Sequence, residues 1–168
     1  MRSRLRRAAL IAATAAVSFA PLLLAASRTD TLSVSATIAA RAKLTLSSGS
    51  MAFADADPDT TPVVSPGGGA LTIMAKGRTT VGSTVTLVVL ASGDLQSGLD
   101  AIPIEQLSWA ATGTGFVAGT LSHTAAQTVG TWANSGAWTG TQSYQLANSW
   151  TYSTGTYTTT LTYTLTAP

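Results

Sequence analysis

The sequence has no cysteine and a single histidine, His123. The first absence excludes disulfides, thiolate metal sites and cysteine nucleophiles together. The second leaves little for acid–base or imidazole–metal chemistry. Charge is scarce too: Asp, Glu, Lys and Arg make up 10% of the 168 residues, against roughly 25% in ordinary soluble proteins. No G-x-S-x-G or S-x-x-K segment is present and Glu105 is the lone glutamate, so a serine hydrolase or a paired-carboxylate glycosidase has no starting point. The expectation is a building block or a binder, with no enzymatic activity, cofactor or metal. The length suits one domain.

What is present instead is threonine, 29 residues of it, with 15 glycines. Threonine is β-branched and favours strands, while its hydroxyl accepts water, so a threonine-lined face needs no charge to be exposed.

Residues 1–27 read as an export signal: Arg2, Arg4, Arg6 and Arg7 precede the apolar run Ala8 to Phe19, and small residues at Ala25, Ala26 and Ser27 suit a signal peptidase. An uncleaved anchor is the alternative, since Ala8 to Ala26 just reaches bilayer length. Pro21 and the dominance of alanine count against it. With the leader go four of the nine basic residues and no acidic one, leaving five against seven, a net −2. No cluster of Lys or Arg remains along the chain, so nucleic-acid binding is not expected. The mature protein should lie outside the cytoplasmic membrane, extracellular or at the cell surface.

Beyond the leader the dominant period is two. Leu32, Val34, Ala36 and Ile38 alternate with Thr31, Ser33, Ser35 and Thr37, which predicts a strand with one apolar face. Further strands are expected at Ala42–Leu46, Leu71–Ala75, Ile104–Trp109, Gly115–Leu121, Gln127–Trp132 and Thr141–Leu146. Thr84–Ala91 is apolar enough to be buried on both faces. The clearest alternation is Thr156–Thr166, with Tyr157, Leu161, Tyr163 and Leu165 on one face and threonines on the other. Asp55–Gly69, with its prolines and Gly67-Gly68-Gly69, reads as a loop. Many short strands cut by glycine-rich turns, and no helical spacing, predict an all-β, immunoglobulin-like β-sandwich, with a barrel as second choice. The expected organisation is a signal peptide at 1–27, an N-terminal extension at 28–40 and a sandwich domain at 41–168.

Asp55, Asp57 and Asp59 offer oxygen ligands at the spacing of a calcium loop. The glycine such a loop requires at its sixth position is missing and no glutamate closes it, so a solvated turn is the preferred reading. Trp109, Trp132, Trp138 and Trp150 are most simply core or strand-end residues. Trp132 and Trp138 flank the turn Ala133–Ala137, however, and are the candidates for a glycan contact if exposed at a hairpin tip. His123 reads as a surface strand residue.

Gly155-Thr156-Tyr157 and the alternating strand to Tyr163 resemble the closing strand of bacterial pilin-like subunits, in particular the spore coat protein U family of archaic chaperone–usher pili. The order of elements agrees: a signal peptide, the alternating segment Leu32–Ile38, then Phe53 where those subunits have Phe-Gly, with Ala54 here in place of the glycine. That family usually carries a cysteine pair, which this chain lacks. The ending Leu161–Pro168 is also similar to that of WxL cell-wall-binding domains, with Tyr163 where their Trp stands. The pilin resemblance implies an incomplete sandwich completed by a donated strand, with Leu32, Val34, Ala36 and Ile38 as the donor set; the other reading of this segment is a strand that pairs within its own domain. It also implies copies of the chain as partners, together with a periplasmic chaperone and an outer-membrane usher. The alternative is a secreted cell-wall or carbohydrate-binding module.

Overall fold

Alternate residues of Thr84–Ala91 turn inward and are buried, and the other long strands repeat the pattern, so each has one face that must find a partner layer. The structure is a computed structural model that describes residues 27–168; all but the last residue of the expected leader lies outside the described residues. The strands are β1 (Arg41–Leu46), β2 (Val63–Val64), β3 (Leu71–Arg78), β4 (Thr84–Ala91), β5 (Leu95–Ser97), β6 (Asp100–Ile102), β7 (Leu107–Thr112), β8 (Gly119–Thr120), β9 (Gln127–Ala133), β10 (Gly136–Ala147) and β11 (Leu161–Thr166). A single 3-10 turn, Ile104–Gln106, is the only helical piece among the described residues.

One sheet has the order β1-β3-β10-β7-β8, with β2 added on β10; the other has the order β11-β4-β9, and β5 and β6 form a small hairpin. All pairings are antiparallel. The two sheets pack face to face around Ile73 and Ala75 of β3, Val85, Leu87 and Val89 of β4, Val129 of β9 and Tyr144 of β10, all buried. The all-β sandwich is therefore the architecture. Trp109 and Phe116 lie in this core, and the Trp109 indole donates to the Val117 carbonyl at 2.8 Å, which satisfies its one polar atom.

Several elements differ from the pattern-based expectation. Thr84–Ala91 is buried on one face only: Val85, Leu87, Val89 and Ala91 point into the core, whereas Thr84 and Leu90 are exposed because nothing covers the outer side of the three-stranded sheet. Ile104–Gln106 turns before its strand begins, and of Gly115–Leu121 only Gly119–Thr120 forms a strand, while Phe116 makes an isolated bridge to Gly130. The C-terminal strand starts at Leu161, which leaves Tyr157 in the preceding loop, its hydroxyl donating to the Ser153 carbonyl at 2.9 Å. His123 sits in a loop, its Nδ1 3.3 Å from Asp94 Oδ1.

The expected hairpin around residues 133–137 is instead a corner between layers, for β9 and β10 belong to different sheets. Asn134 takes the left-handed conformation there, φ 62°, which asparagine tolerates better than most residues. Its side chain accepts the Gly82 N–H at 2.9 Å and its own N–H donates to the Ser83 carbonyl at 2.9 Å.

Leu32–Ile38 forms no strand. The compact unit comprises residues 37–168, and residues 27–36 belong to a separate one. Leu32, Val34 and Ile38 are 88%, 84% and 72% exposed, and Ala36 is exposed as well. Alternation gives a chain one apolar face; a ladder partner makes it a strand, and among the described residues the segment has none.

Candidate functional site

β1 and β11 are the edge strands on one side of the sandwich, and β8 and β9 those on the other. Among the described residues β1 pairs with β3 alone and β11 with β4 alone, so each has a free edge. Their inward residues show the consequence: Leu44 and Leu46 of β1, and Leu161, Tyr163 and Leu165 of β11, are only half-buried. Between them, toward the Leu46 and Leu161 ends, lies a cleft of about 1240 Å³, floored by Leu71, Leu95, Ile102 and Leu107 and flanked by Tyr163.

The cleft walls are two loops, residues 48–58 and 148–160. Asn148 ties them together. Its N–H donates to the Pro62 carbonyl at 2.8 Å, and its amide nitrogen donates to the carbonyls of Ala56 at 2.9 Å and Thr61 at 3.1 Å. Behind Tyr163 lies a polar chain. Each phenol has one proton: Tyr163 donates to Gln142 Oε1 at 2.5 Å, so Tyr144 donates to the Tyr163 oxygen at 2.5 Å. Gln142 is fully buried, and its Nε2 has no protein partner. Burial, followed by the neighbouring Tyr163, pushes the Tyr144 phenol far above its ordinary range. Burial pushes Tyr163 up to about 12, against a smaller opposing effect of its bond with Tyr144.

Of the residues expected in a C-terminal strand, Leu161, Tyr163 and Leu165 share the inward face of β11, and Tyr157 lines the cleft from the loop. Trp132 and Trp138 form no exposed platform. Trp132 is buried, its indole donating to the Thr114 carbonyl at 2.8 Å, and Trp138 stacks on it with ring centroids 4.7 Å apart. The exposed tryptophan is Trp150, 70% exposed on the cleft wall, its indole donating to Asp59 Oδ1 at 3.1 Å. Asp57 Oδ1 accepts the Asp59 N–H at 2.9 Å, so these carboxylates order a turn. Among the described residues no three potential metal-ligating side chains converge.

The sequence reading missed one arrangement outright. Arg41 and Lys43 are separated from Lys76 and Arg78 by more than thirty residues, yet in the β1/β3 ladder Arg41 faces Arg78 and Lys43 faces Lys76. All four project outward, since the alternate residues Leu44, Ala75 and Gly77 face the core side. The four are every cation of the compact unit, gathered in two directly opposed like-charge pairs, and none has a carboxylate partner. Side chains opposed in this way have Cβ atoms about 5 Å apart, and like charges there are destabilising. The signal was a basic residue at i and i+2 in two separate strands, which places both on one face of each.

The carboxylates of the compact unit lie elsewhere. Asp55 and Asp57 are on the cleft wall, with Asp59 next to it bonded to Trp150, and Asp94, Asp100 and Glu105 surround β5 and β6, whose Leu95 and Ile102 floor the cleft. The β1/β3 ladder has Leu46 opposite Ile73 at its cleft end and Arg41 opposite Arg78 at the other. Charge is thus segregated, acidic around the cleft and basic on the ladder leading away from it. No family model, no curated protein and no solved structure matches the chain.

Proposed function

We propose that the chain is an exported structural subunit of an extracellular pilus, fibre or coat, and that copies join by β-strand donation. The observation that carries this reading is a matched pair of deficits. On one side of the sandwich the edges β1 and β11 are both free among the described residues, with half-buried inner residues and a cleft of apolar floor between them. The chain also carries an alternating apolar segment, Leu32, Val34, Ala36 and Ile38, with no ladder partner among the described residues. A strand from a second copy laid along β11 would bond the free N–H and C=O groups of that edge and bury its apolar side chains in the cleft. On this reading the sandwich is of the immunoglobulin type with one strand missing. A chaperone covering the cleft before assembly, and an usher at the outer membrane, are the partners the pilin resemblance implies.

The test uses the chain from residue 28 to 168. It should form linear polymers visible by negative-stain microscopy. Deleting residues 28–40 should leave a folded, monomeric chain that binds a synthetic peptide of residues 28–40. Val34→Asp or Ile38→Asp should block polymerisation, because a carboxylate entering an apolar pocket unpaired costs several kcal/mol, while Asp at Ser33 or Ser35, on the other face, should be tolerated. A truncated chain that unfolds, together with a full chain that never polymerises, would overturn the reading.

Trp150 favours a second function, that of a secreted carbohydrate-binding module. Its exposed ring, held by Asp59, has the rigid apolar face on which a pyranose stacks. A monomer retarded on polysaccharide gels, with retardation lost in Trp150→Ala, would support this reading over the first.

A further inference from the structure

Outside the cleft the most anomalous feature is the β1/β3 ladder, where Arg41 opposes Arg78 and Lys43 opposes Lys76 on an exposed face with no internal counter-charge. A sheet gains nothing from such pairs in the isolated molecule. Their placement points to a surface of opposite sign that the chain itself supplies: Asp55, Asp57 and Asp59 are exposed and make no salt bridge among the described residues, the first two on the cleft wall and the third next to it, held in place by Asn148 and Trp150. The basic ladder also begins where the exposed segment ends, since Arg41 follows Ile38 by three positions. A copy that lays residues 28–40 into a neighbour's cleft therefore brings its own Arg41 and Lys43 to that cleft's rim, where the aspartates are.

We infer that the basic ladder of one copy, Arg41, Lys43, Lys76 and Arg78, docks against the acidic cleft rim of the next, Asp55, Asp57 and Asp59, and that this contact steers and orients subunit joining. The inference rests on strand donation as the mode of assembly and adds the determinant of its direction. Apolar side chains at every second donor position hold the strand; the charged faces set which end meets which and how fast. Complementary fields act mainly on association rate and on rejection of wrong orientations, and salt screens them. Because the chain has so few other charges, the two patches face little competition from elsewhere on the surface.

The experiment follows polymerisation of the chain 28–168 by light scattering at low salt and at about 0.5 M salt, where screening reaches only a few ångströms. High salt should slow the wild type by about ten-fold or more, as steering is lost. Lys43→Glu with Lys76→Glu should slow it similarly at low salt, and Asp55→Lys with Asp57→Lys likewise, whereas a mixture of the two reversed chains should recover the rate by alternating, because each ladder then meets a wall of opposite sign on the other chain. A chain carrying both reversals should regain salt-sensitive assembly. Thermal unfolding controls for misfolding: Lys43→Glu alone sets opposite charges across the ladder, so it should unfold at a temperature no lower than the wild type while assembling more slowly.

Polymers that form at the same rate in every charge variant and at every salt would overturn the docking inference and leave strand donation standing. Charge-dependent association that survives Val34→Asp would keep the docking contact and overturn strand donation. A chain that stays monomeric throughout overturns both. Retention of the wild type on a sulfated polysaccharide column, lost in Lys43→Glu with Lys76→Glu while polymerisation is unchanged, would overturn docking between copies in favour of an anionic polymer as the ladder's occupant.

Discussion

Two rows of inward side chains obey the same alternation and meet different fates. On β4, Val85, Leu87 and Val89 are completely buried; on β11, directly paired with it, Leu161, Tyr163 and Leu165 are half-exposed. Tyr163 lies opposite Val89, and Leu165 opposite Leu87. Composition does not separate the two rows, since both are apolar residues spaced by threonine or valine. Position does: β4 has a strand on each side, whereas β11 has one on one side only. Burial is therefore decided by a neighbour that β11 lacks within the chain, and the contrast should be erasable by supplying one.

The largest effect expected from this contrast is on truncation at the two rows. Leu87→Ala removes a fully buried side chain from a site with neighbours on every side and should cost about 2–5 kcal/mol in denaturant unfolding. Leu165→Ala, one strand away, should cost about half as much in the unassembled chain, because part of that side chain already faces solvent. Equal losses in the monomer would mean that β11 is as well covered as β4 and that the cleft is no acceptor. If a donated strand does cover β11, the Leu165→Ala penalty should grow toward the Leu87→Ala value once polymers form, as read from their resistance to denaturant.

A smaller effect tests how tightly the closed part is packed. Gly130 of β9 lies against the Trp132 ring, and a Cβ there would come within 2.5 Å of Trp132 Cη2. Gly130→Ala should cost about 1–3 kcal/mol through overpacking and should disturb the Trp132–Trp138 stack, seen as a change in tryptophan fluorescence. The control is Gly67→Ala in the loop, where an added Cβ meets nothing within 4 Å; it should leave both readings unchanged. Comparable losses at the two positions would contradict the packing around Trp132.

These cases also mark how far the sequence could be read. Period-two patterning located β1, β3, β4, β9 and β10, because strands with one apolar face carry that signature in their own residues. It could not say which strands become neighbours. Leu32–Ile38 alternates as well as β11 does and pairs with nothing among the described residues, while Thr128 and Thr131 of β9 find β4 across a bulge that no local signal announces. Trp132 and Trp138 seemed to frame a hairpin tip, but the chain crosses between sheets at Asn134 and turns both rings inward. The basic ladder was hidden for the same reason, as it exists only once β1 is paired with β3 in register. Of the candidate site, the apolar face of β11 was legible and the exposed Trp150 was not, since its loop carries no periodicity.

The smallest expected effect concerns the polar chain behind the cleft and has a definite sign in pH. Tyr163 ionises near its ordinary value of about 10 when unfolded and at about 12 when folded, so between these limits the folded state holds a proton that the unfolded state has lost. Stability from this source is complete below about pH 10 and declines as pH rises through about 12. Tyr144, raised further, adds to the decline in the same direction. Tyr163→Phe removes one of the two phenols of the buried polar chain and should flatten the alkaline slope of unfolding free energy without abolishing it. At neutral pH the substitution should cost only about 1 kcal/mol, because Gln142 Oε1 keeps the longer, 3.5 Å contact with the Tyr144 hydroxyl. Should the alkaline slope be identical in wild type and Tyr163→Phe, the phenol would have to titrate as a solvated group, and the half-buried inner face of β11 on which the whole comparison rests would be wrong at its central residue.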